Sequence, residues 1–154
     1  MSHRYLFVDM SNIAHENRWG VSYNFVLAVV AQLVERLDEA TKPVYVADDS
    51  FPDLIRRDER ADFATACERR DVTVAPKGVP ADNLFLPLAD EYNGIVVSND
   101  RFREFGGRFP WIGHPRRLIA VKCLGEFSPR YFWRWLDRRR GNPADPDAEI
   151  VSPQ

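Results

Sequence analysis

Residues 92–102 read YNGIVVSNDRF, and this stretch decides the fold. The run 94–97 carries no polar side chain, and Ser-Asn-Asp follows it directly at 98–100. A short apolar run is typical of a strand that is buried on both faces. The acid after it has two interpretations: it forms a turn or caps a helix, or it belongs to a ligand site, because ligands bind beyond the carboxyl ends of strands in open α/β sheets. The choice depends on whether other acids reach the same edge.

The rest of the chain alternates short apolar runs with stretches of helical periodicity. Strands are predicted at 4–9, 42–48, 71–75, 94–98 and 117–124, and helices at 22–40, 50–70, 81–92 and 128–140. Such alternation predicts an α/β protein with a central, mostly parallel five-stranded sheet flanked by helices in three Rossmann-like layers. Right-handed crossovers then place all the strand carboxyl ends along one edge.

Length and composition are those of a single globular domain. The chain has 154 residues and a formal net charge of −2. We predict one domain over 1–140 and a disordered tail over 141–154, which has few apolar groups. No apolar run is long enough to span a membrane, and MSHRYLFVDM lacks the pattern of a signal peptide, so we expect a cytoplasmic protein. The two cysteines, Cys67 and Cys123, are too far apart to suggest a zinc site or a disulfide framework.

Three predicted elements bring acids to the carboxyl edge of the sheet. Asp9 ends the first strand, Asp100 follows the fourth, and Asp82 begins the helix after the third. Clustered carboxylates raise one another's pKa unless a cation lies among them. Hard oxygen ligands suit Mg²⁺ or Mn²⁺, so the pattern predicts a site for one of these ions.

Other polar residues near these acids are candidates for supporting roles. Asn12 and Asn99 offer amide groups that can hold a water or a phosphate, and Glu104 lies one turn after Asp100 if that segment is helical. Each acid alone also has a purely structural interpretation. Asp9 can form a turn, Glu104 can be solvated, and an acid at a helix start such as Asp82 is favoured by the helix dipole.

Two stretches of the sequence resemble a known family. YLFVDMSNIAH and ADNLFLPLADEYNGIVVSNDRFREF are similar to the NYN-type, PIN-like ribonucleases of the Regnase class, over residues 5 to about 105. The resemblance implies a PIN/NYN fold and metal-dependent endonucleolytic hydrolysis of RNA that leaves a 5′-phosphate. It also implies that Asp9, Asp82 and Asp100 bind metal and that Asn12 and Asn99 support the site, and Glu104 falls where the family usually has Asp. We therefore predict that Asn12 and Glu104 join the three acids in catalysis. Ser11 and Asn99 are predicted to contact the substrate.

The sequence departs from the family pattern at two positions. Ala81 stands where the family has the first of two adjacent acids, which removes a carboxylate. Met10 replaces a glycine, so we expect a narrower loop after the first strand. A second hypothesis is therefore a catalytically weak or inactive RNA-binding or scaffolding module on the same fold.

An acidic pocket needs cations around it to attract RNA. Arginine suits phosphates and aromatic rings suit unstacked bases, which favours a single-stranded nucleic acid. The family resemblance implies RNA, single-stranded or structured, while the acids themselves leave RNA and DNA open. The candidates near the pocket are Arg18, Lys77, Arg101 and Arg103, and further ones are Trp19, Arg108, Trp111, His114, Arg116 and Arg117. Arg116 and Arg117 are equally well explained as solvated residues before a strand. Asp48 and Asp49 are expected at most at the border of the pocket, and the aromatic last helix suggests a homodimer.

Overall fold

The computed structural model of the chain describes residues 4–17, 19–37 and 40–121. The predictions for Arg18, for the helix at 128–140 and for the tail at 141–154 lie outside these residues, as does the end of the predicted fifth strand. Among the described residues, no helix is long and apolar enough to cross a membrane.

The sheet has five strands, and every pairing between them is parallel, as predicted. The strands are β1 (Arg4–Asp9), β2 (Thr41–Ala47), β3 (Val72–Val74), β4 (Ile95–Val97) and β5 (Leu118–Ile119), in the order β3-β2-β1-β4-β5. β1 is central, so its last residue, Asp9, lies beside Val46 of β2 and one position beyond the pairing of Val8 with Val97 of β4. The carboxyl ends of β1, β2 and β4 therefore meet at one place.

Helices cover both faces of the sheet, which confirms the three-layer α/β fold. They are α1 (Met10–His15), α2 (Tyr23–Leu37), α3 (Phe51–Leu54), α4 (Arg60–Glu68) and α5 (Asp82–Glu91). Successive strand side chains point to opposite faces. Leu6 and Val8 of β1 pack in one core cluster with residues of α1 to α4, while Phe7 packs in a second cluster with Phe85 and Leu86 of α5.

The start of α2 is fixed by side chains, beginning with Ser22. Its Oγ accepts a hydrogen bond from the N–H of Phe25 at 3.1 Å, which satisfies one of the free donors of the first turn. The same hydroxyl donates to Oε2 of the buried Glu59 at 2.9 Å, and this oxygen also accepts from the N–H of Asn24. Glu59 thus ties the start of α2 to the turn before α4.

The predicted continuous helix over 50–70 is wrong. α3 ends after one turn, and Ile55 and Arg56 take extended backbone conformations with ψ of 163° and 142°. A 3₁₀ turn at Arg57–Glu59 then leads into α4. The break has a physical reason, because it buries Ile55 in the core and brings Glu59 to the start of α2.

The expected loop after the first strand is also wrong, because α1 begins directly at Met10. Its apolar residues Met10, Ile13 and Ala14 have helical spacing and are fully buried. A helix of six residues is too short for its periodicity to stand out in the sequence. Met10 therefore packs in the core instead of narrowing a loop.

The opposite edge of the sheet, where the strands begin, carries a closed polar network. Arg117, just before β5, donates from Nε to the carbonyl of Gly94 at 2.8 Å and from Nη2 to that of Ala89 at 3.0 Å. Its guanidinium Cζ lies 4.5 Å from the ring centre of Trp111, whose Nε1 donates to Oδ1 of Asp90 at 2.9 Å. We call these five residues the amino-edge network.

Candidate active site

A cavity of about 360 Å³ opens at the carboxyl ends of β1, β2 and β4. The start of α1 and the start of α5 form its walls. It is lined by Asp9, Ser11, Asn12, His15, Glu16, Asp48, Pro80, Ala81, Asp82, Asp100 and Phe102. The three acids predicted to converge, Asp9, Asp82 and Asp100, therefore do line one cavity.

Asp9 is the most buried of these acids, with 8% of its surface exposed. Its Oδ2 accepts a hydrogen bond from Oγ of Ser98 at 2.7 Å. Burial raises the pKa of Asp9 from 3.8 to about 7; the Ser98 bond opposes this rise, and the charges of Asp48, Asp82 and Asp100 add to it. Without a cation, ionisation of Asp9 therefore lowers the stability of the folded protein.

The loop after β4 holds Asp100 through bonds that span only two residues. Oγ of Ser98 accepts from the N–H of Asp100 at 3.1 Å, and Oδ1 of Asp100 accepts from the N–H of Phe102 at 2.8 Å. Phe102 has a left-handed backbone, with φ of 50°, and its ring is buried. This turn ends the strand and keeps the carboxylate of Asp100 at the cavity. Glu104 follows in a separate 3₁₀ turn, so Asp100 and Glu104 do not share one continuous helix.

Asp82 is the first residue of α5, and its Oδ1 is buried without a hydrogen-bond partner among the described residues. Burial is the main cause that raises its pKa, and the backbone N–H of Asn83 opposes the rise. The charges of Asp100, Glu104 and Asp48 raise it further. A buried carboxylate oxygen that lacks a partner is unusual, because leaving it so costs free energy.

Asn12 and Ser11 lie on α1 and join the strand ends to one another. Oδ1 of Asn12 accepts from the N–H of Asn99 at 2.8 Å, and Oγ of Ser11 accepts from the N–H of Asp48 at 3.1 Å. Both side chains line the cavity. The side-chain oxygen and nitrogen of Asn99 are buried without a partner among the described residues, and Asn99 does not line the cavity.

Two residues of the site, Asp48 and Ser98, were not selected from the sequence. Asp48 was expected at most at its border, yet it lines the cavity, whereas Asp49 is exposed and does not. Ser98 bonds to both Asp9 and the Asp100 backbone. The signal for Asp48 was its position directly after β2, the neighbour of β1. The signal for Ser98 was its place in the same run as Asp100.

Three of the predicted basic residues, Lys77, Arg101 and Arg103, do not line the cavity and are exposed. Glu104 is exposed as well, although its charge acts on Asp82. Arg117 was expected to be solvated or to contact phosphate, and this expectation is wrong, because its guanidinium is used in the amino-edge network.

The cavity suits a divalent cation that keeps part of its water shell better than one that is bound on all sides by protein ligands. Within residues 4–17, 19–37 and 40–121, no three or more His, Cys, Asp or Glu side chains form a group that holds a metal ion by itself. Mg²⁺, however, usually keeps several waters and binds through one or two carboxylates plus substrate phosphates. The partnerless Oδ1 of Asp82 and the buried Asp9 are oxygen donors that such an ion would satisfy.

Comparison with known protein families identifies a relationship. No curated protein matches the chain. A sequence model of one family, described as the Zc3h12a-like ribonuclease NYN domain, matches residues 2–123, which is most of the chain. The match includes every residue of the cavity, and it confirms the resemblance to the Regnase class. The chain therefore belongs to the Zc3h12a-like ribonuclease NYN domain family.

Proposed function

We propose that this protein is a Mg²⁺- or Mn²⁺-dependent endoribonuclease that hydrolyses phosphodiester bonds of single-stranded RNA. The observation that carries the proposal is the set of four carboxylates, Asp9, Asp48, Asp82 and Asp100, that line one cavity at the carboxyl edge. Their mutual repulsion is a cost that a structural role does not explain. A bound cation offsets it.

Asp9, Asp82 and Asp100 would hold the ion, one or two of them directly and the others through its bound waters. When bound, it would activate a water and stabilise the charge that develops on the phosphodiester. The protein's own contribution is positioning: Ser98 orients Asp9, and the turn at Phe102 fixes Asp100.

The surroundings of the cavity support an extended, negatively charged substrate. Lys77 lies in the loop between β3 and α5, and Arg101 and Arg103 directly follow Asp100. All three are exposed and lie within three residues of a cavity residue in sequence, so we expect them to contact phosphates of the RNA. Activity on structured RNA, a cytoplasmic location and a homodimer are proposed from the sequence alone.

The test is cleavage of a fluorescently labelled single-stranded RNA with Mg²⁺, with Mn²⁺ and with EDTA. We expect cleavage only with metal, and products that carry a 5′-phosphate. Asp100→Asn should lower the rate by at least about 100-fold, the upper end for residues that only support a metal site. The asparagine retains an oxygen that can accept from Phe102, so the turn is preserved.

Asp49→Asn is the matched control, because Asp49 is exposed and does not line the cavity. It should cleave like the wild type. If D100N cleaves at the wild-type rate, Asp100 has no part in the reaction. A parallel assay on DNA of the same sequence tests the preference for RNA.

A second candidate function is an RNA-binding module with weak or no activity. Ala81 favours it, because this residue is 2% exposed, packs in the second core cluster and brings no carboxylate to the cavity that it lines. RNA binding without cleavage at saturating Mn²⁺ would support the module.

A further inference from the structure

The side chain of Asp48 bonds to the backbone of Ala81, the position where the family pattern has an acid. It follows β2, and its Oδ1 accepts a hydrogen bond from the N–H of Ala81 at 2.9 Å. The two residues are 33 positions apart, so the contact depends on the tertiary fold. The carboxylate of Asp48, at the end of β2, therefore lies next to Ala81, where the family pattern would have a carboxylate.

The carboxylate of Asp48 belongs to the same electrostatic group as the proposed ligands. It lines the cavity, and its charge acts on both Asp9 and Asp82. A carboxylate has about four acceptor positions, and the Ala81 amide uses one of them. The carboxylate of Asp48 therefore has further acceptor positions for a cation or for its bound water.

The backbone around Asp48 is also held in place. Its N–H donates to Oγ of Ser11 at 3.1 Å, and Ser11 itself lines the cavity from α1. Asp48 is thus fixed at the backbone by α1 and at the side chain by the start of α5. Exposed Asp49, one residue on, does not line the cavity.

From these contacts we propose that Asp48 supplies the carboxylate that Ala81 lacks, as a further ligand for the divalent ion or for its water shell. This inference rests on the proposed function, and it concerns which residues complete the site. It assigns to the end of β2 a role that the family pattern places at the start of α5.

A purely structural role for Asp48 makes a different prediction. An acid near the start of a helix stabilises it through the helix dipole and by accepting a backbone N–H. Asparagine retains the acceptor and removes the charge. A capping role therefore predicts that Asp48→Asn has little effect on metal binding.

The experiment measures Mn²⁺ binding to the full chain by electron paramagnetic resonance of free Mn²⁺, and RNA cleavage as a function of Mn²⁺ concentration. We expect D48N to weaken Mn²⁺ binding about 10- to 100-fold, as loss of a supporting group does in other metal sites. D49N should bind like the wild type. The double variant D48N/A81D, which moves the acid to the family position, should recover at least half of the loss on a logarithmic scale.

Thermal melting shows whether each variant is folded, since a carboxylate at buried position 81 can perturb packing. If the double variant does not fold, the comparison of Mn²⁺ binding between D48N and D49N still tests the role of Asp48. Wild-type Mn²⁺ affinity in D48N, together with weakened binding in D100N, would overturn the role of Asp48 and leave the proposed function intact. A wild-type chain that neither binds Mn²⁺ nor cleaves RNA would overturn the proposed function and this inference with it.

Discussion

The two edges of the sheet differ in how their polar side chains are paired. At the amino edge, Arg117 and Trp111 donate to carbonyl and carboxylate oxygens of nearby residues, so donors and acceptors are matched. At the carboxyl edge, Asp9 and Asp82 are partly buried among like charges, and one oxygen of Asp82 lacks a partner among the described residues. The amino-edge network therefore pairs the side chains of Arg117 and Trp111 with acceptors, whereas the acids of the carboxyl edge raise one another's pKa.

This difference separates residues that stabilise the fold from residues that are available for chemistry. Perturbed ionisable groups concentrate at functional sites, whereas matched networks contribute to stability. Variants at the carboxyl edge should therefore lose activity without a large loss of stability, and variants at the amino edge should lose stability without losing activity. Three substitutions test this contrast.

The largest effect is expected for Asp9→Asn. Because the pKa of Asp9 rises from 3.8 to about 7 on folding, the folded state binds more protons than the unfolded state between these values. The free energy of unfolding in EDTA should thus fall as pH rises from about 4 to 7, by up to about 4 kcal/mol from this group. D9N removes this term, so it should be more stable than the wild type at pH 8 in EDTA and should lose cleavage activity.

Urea denaturation in EDTA at pH 4 and at pH 8 measures the effect, with D49N as the control. The gain for D9N should be full at pH 8 and small at pH 4, where Asp9 is protonated in the folded state and the pH is close to its unfolded pKa of 3.8. A D9N protein that is less stable than the wild type at pH 8 would show that the charge at Asp9 is not a cost to the fold.

Ser98→Ala should have the next largest effect. Ser98 donates to Asp9 and accepts from the N–H of Asp100, so its loss disturbs two proposed ligands at once. We expect cleavage to fall about 10- to 100-fold, with a loss of stability of about 1 kcal/mol. Single-turnover cleavage and urea denaturation measure the two effects.

Ser50→Ala is the control for S98A, because Ser50 is exposed and makes no side-chain capping bond to α3. It should leave both quantities unchanged. If S98A retains the wild-type rate, the hydroxyl does not orient the acids.

The smallest effect on activity is expected at the amino edge. Arg117→Met removes two hydrogen bonds to main-chain carbonyls and the contact with Trp111. The free energy of unfolding should fall by about 1 to 3 kcal/mol, while cleavage per folded molecule stays unchanged. The matched control is Arg116→Met, at an exposed neighbouring position, which should alter neither. A large loss of cleavage in folded R117M would contradict the contrast between the edges.

The strands and the parallel sheet were predictable from the sequence, because buried parallel strands are short apolar runs with clear ends. β1 was predicted with the observed bounds, since its apolar run stops at Asp9. The helix over 50–70 was not resolved into its parts, because the break at Ile55 is set by tertiary contacts of Glu59 with Ser22 and Asn24. α1 was missed because six residues hold less than two helical turns.

The acids at the cavity were predictable from topology alone, since parallel strands bring their carboxyl ends together. Asp48 was underestimated because the same sequence position also suits a helix start. Arg117 was misjudged because nothing local shows that the carbonyls of Gly94 and Ala89 are within its reach. Partners that are distant in sequence decide these roles.

The five-residue loop at 98–102 is held by both local and distant partners. The N–H groups of Asp100 and Phe102 donate to side chains two residues earlier in the same loop. Ser98 donates to Asp9 of β1, and the N–H of Asn99 donates to Asn12 of α1. The first strand and helix therefore help to set where the loop places Asp100, and a change at Asn12 can alter the site without removing a carboxylate.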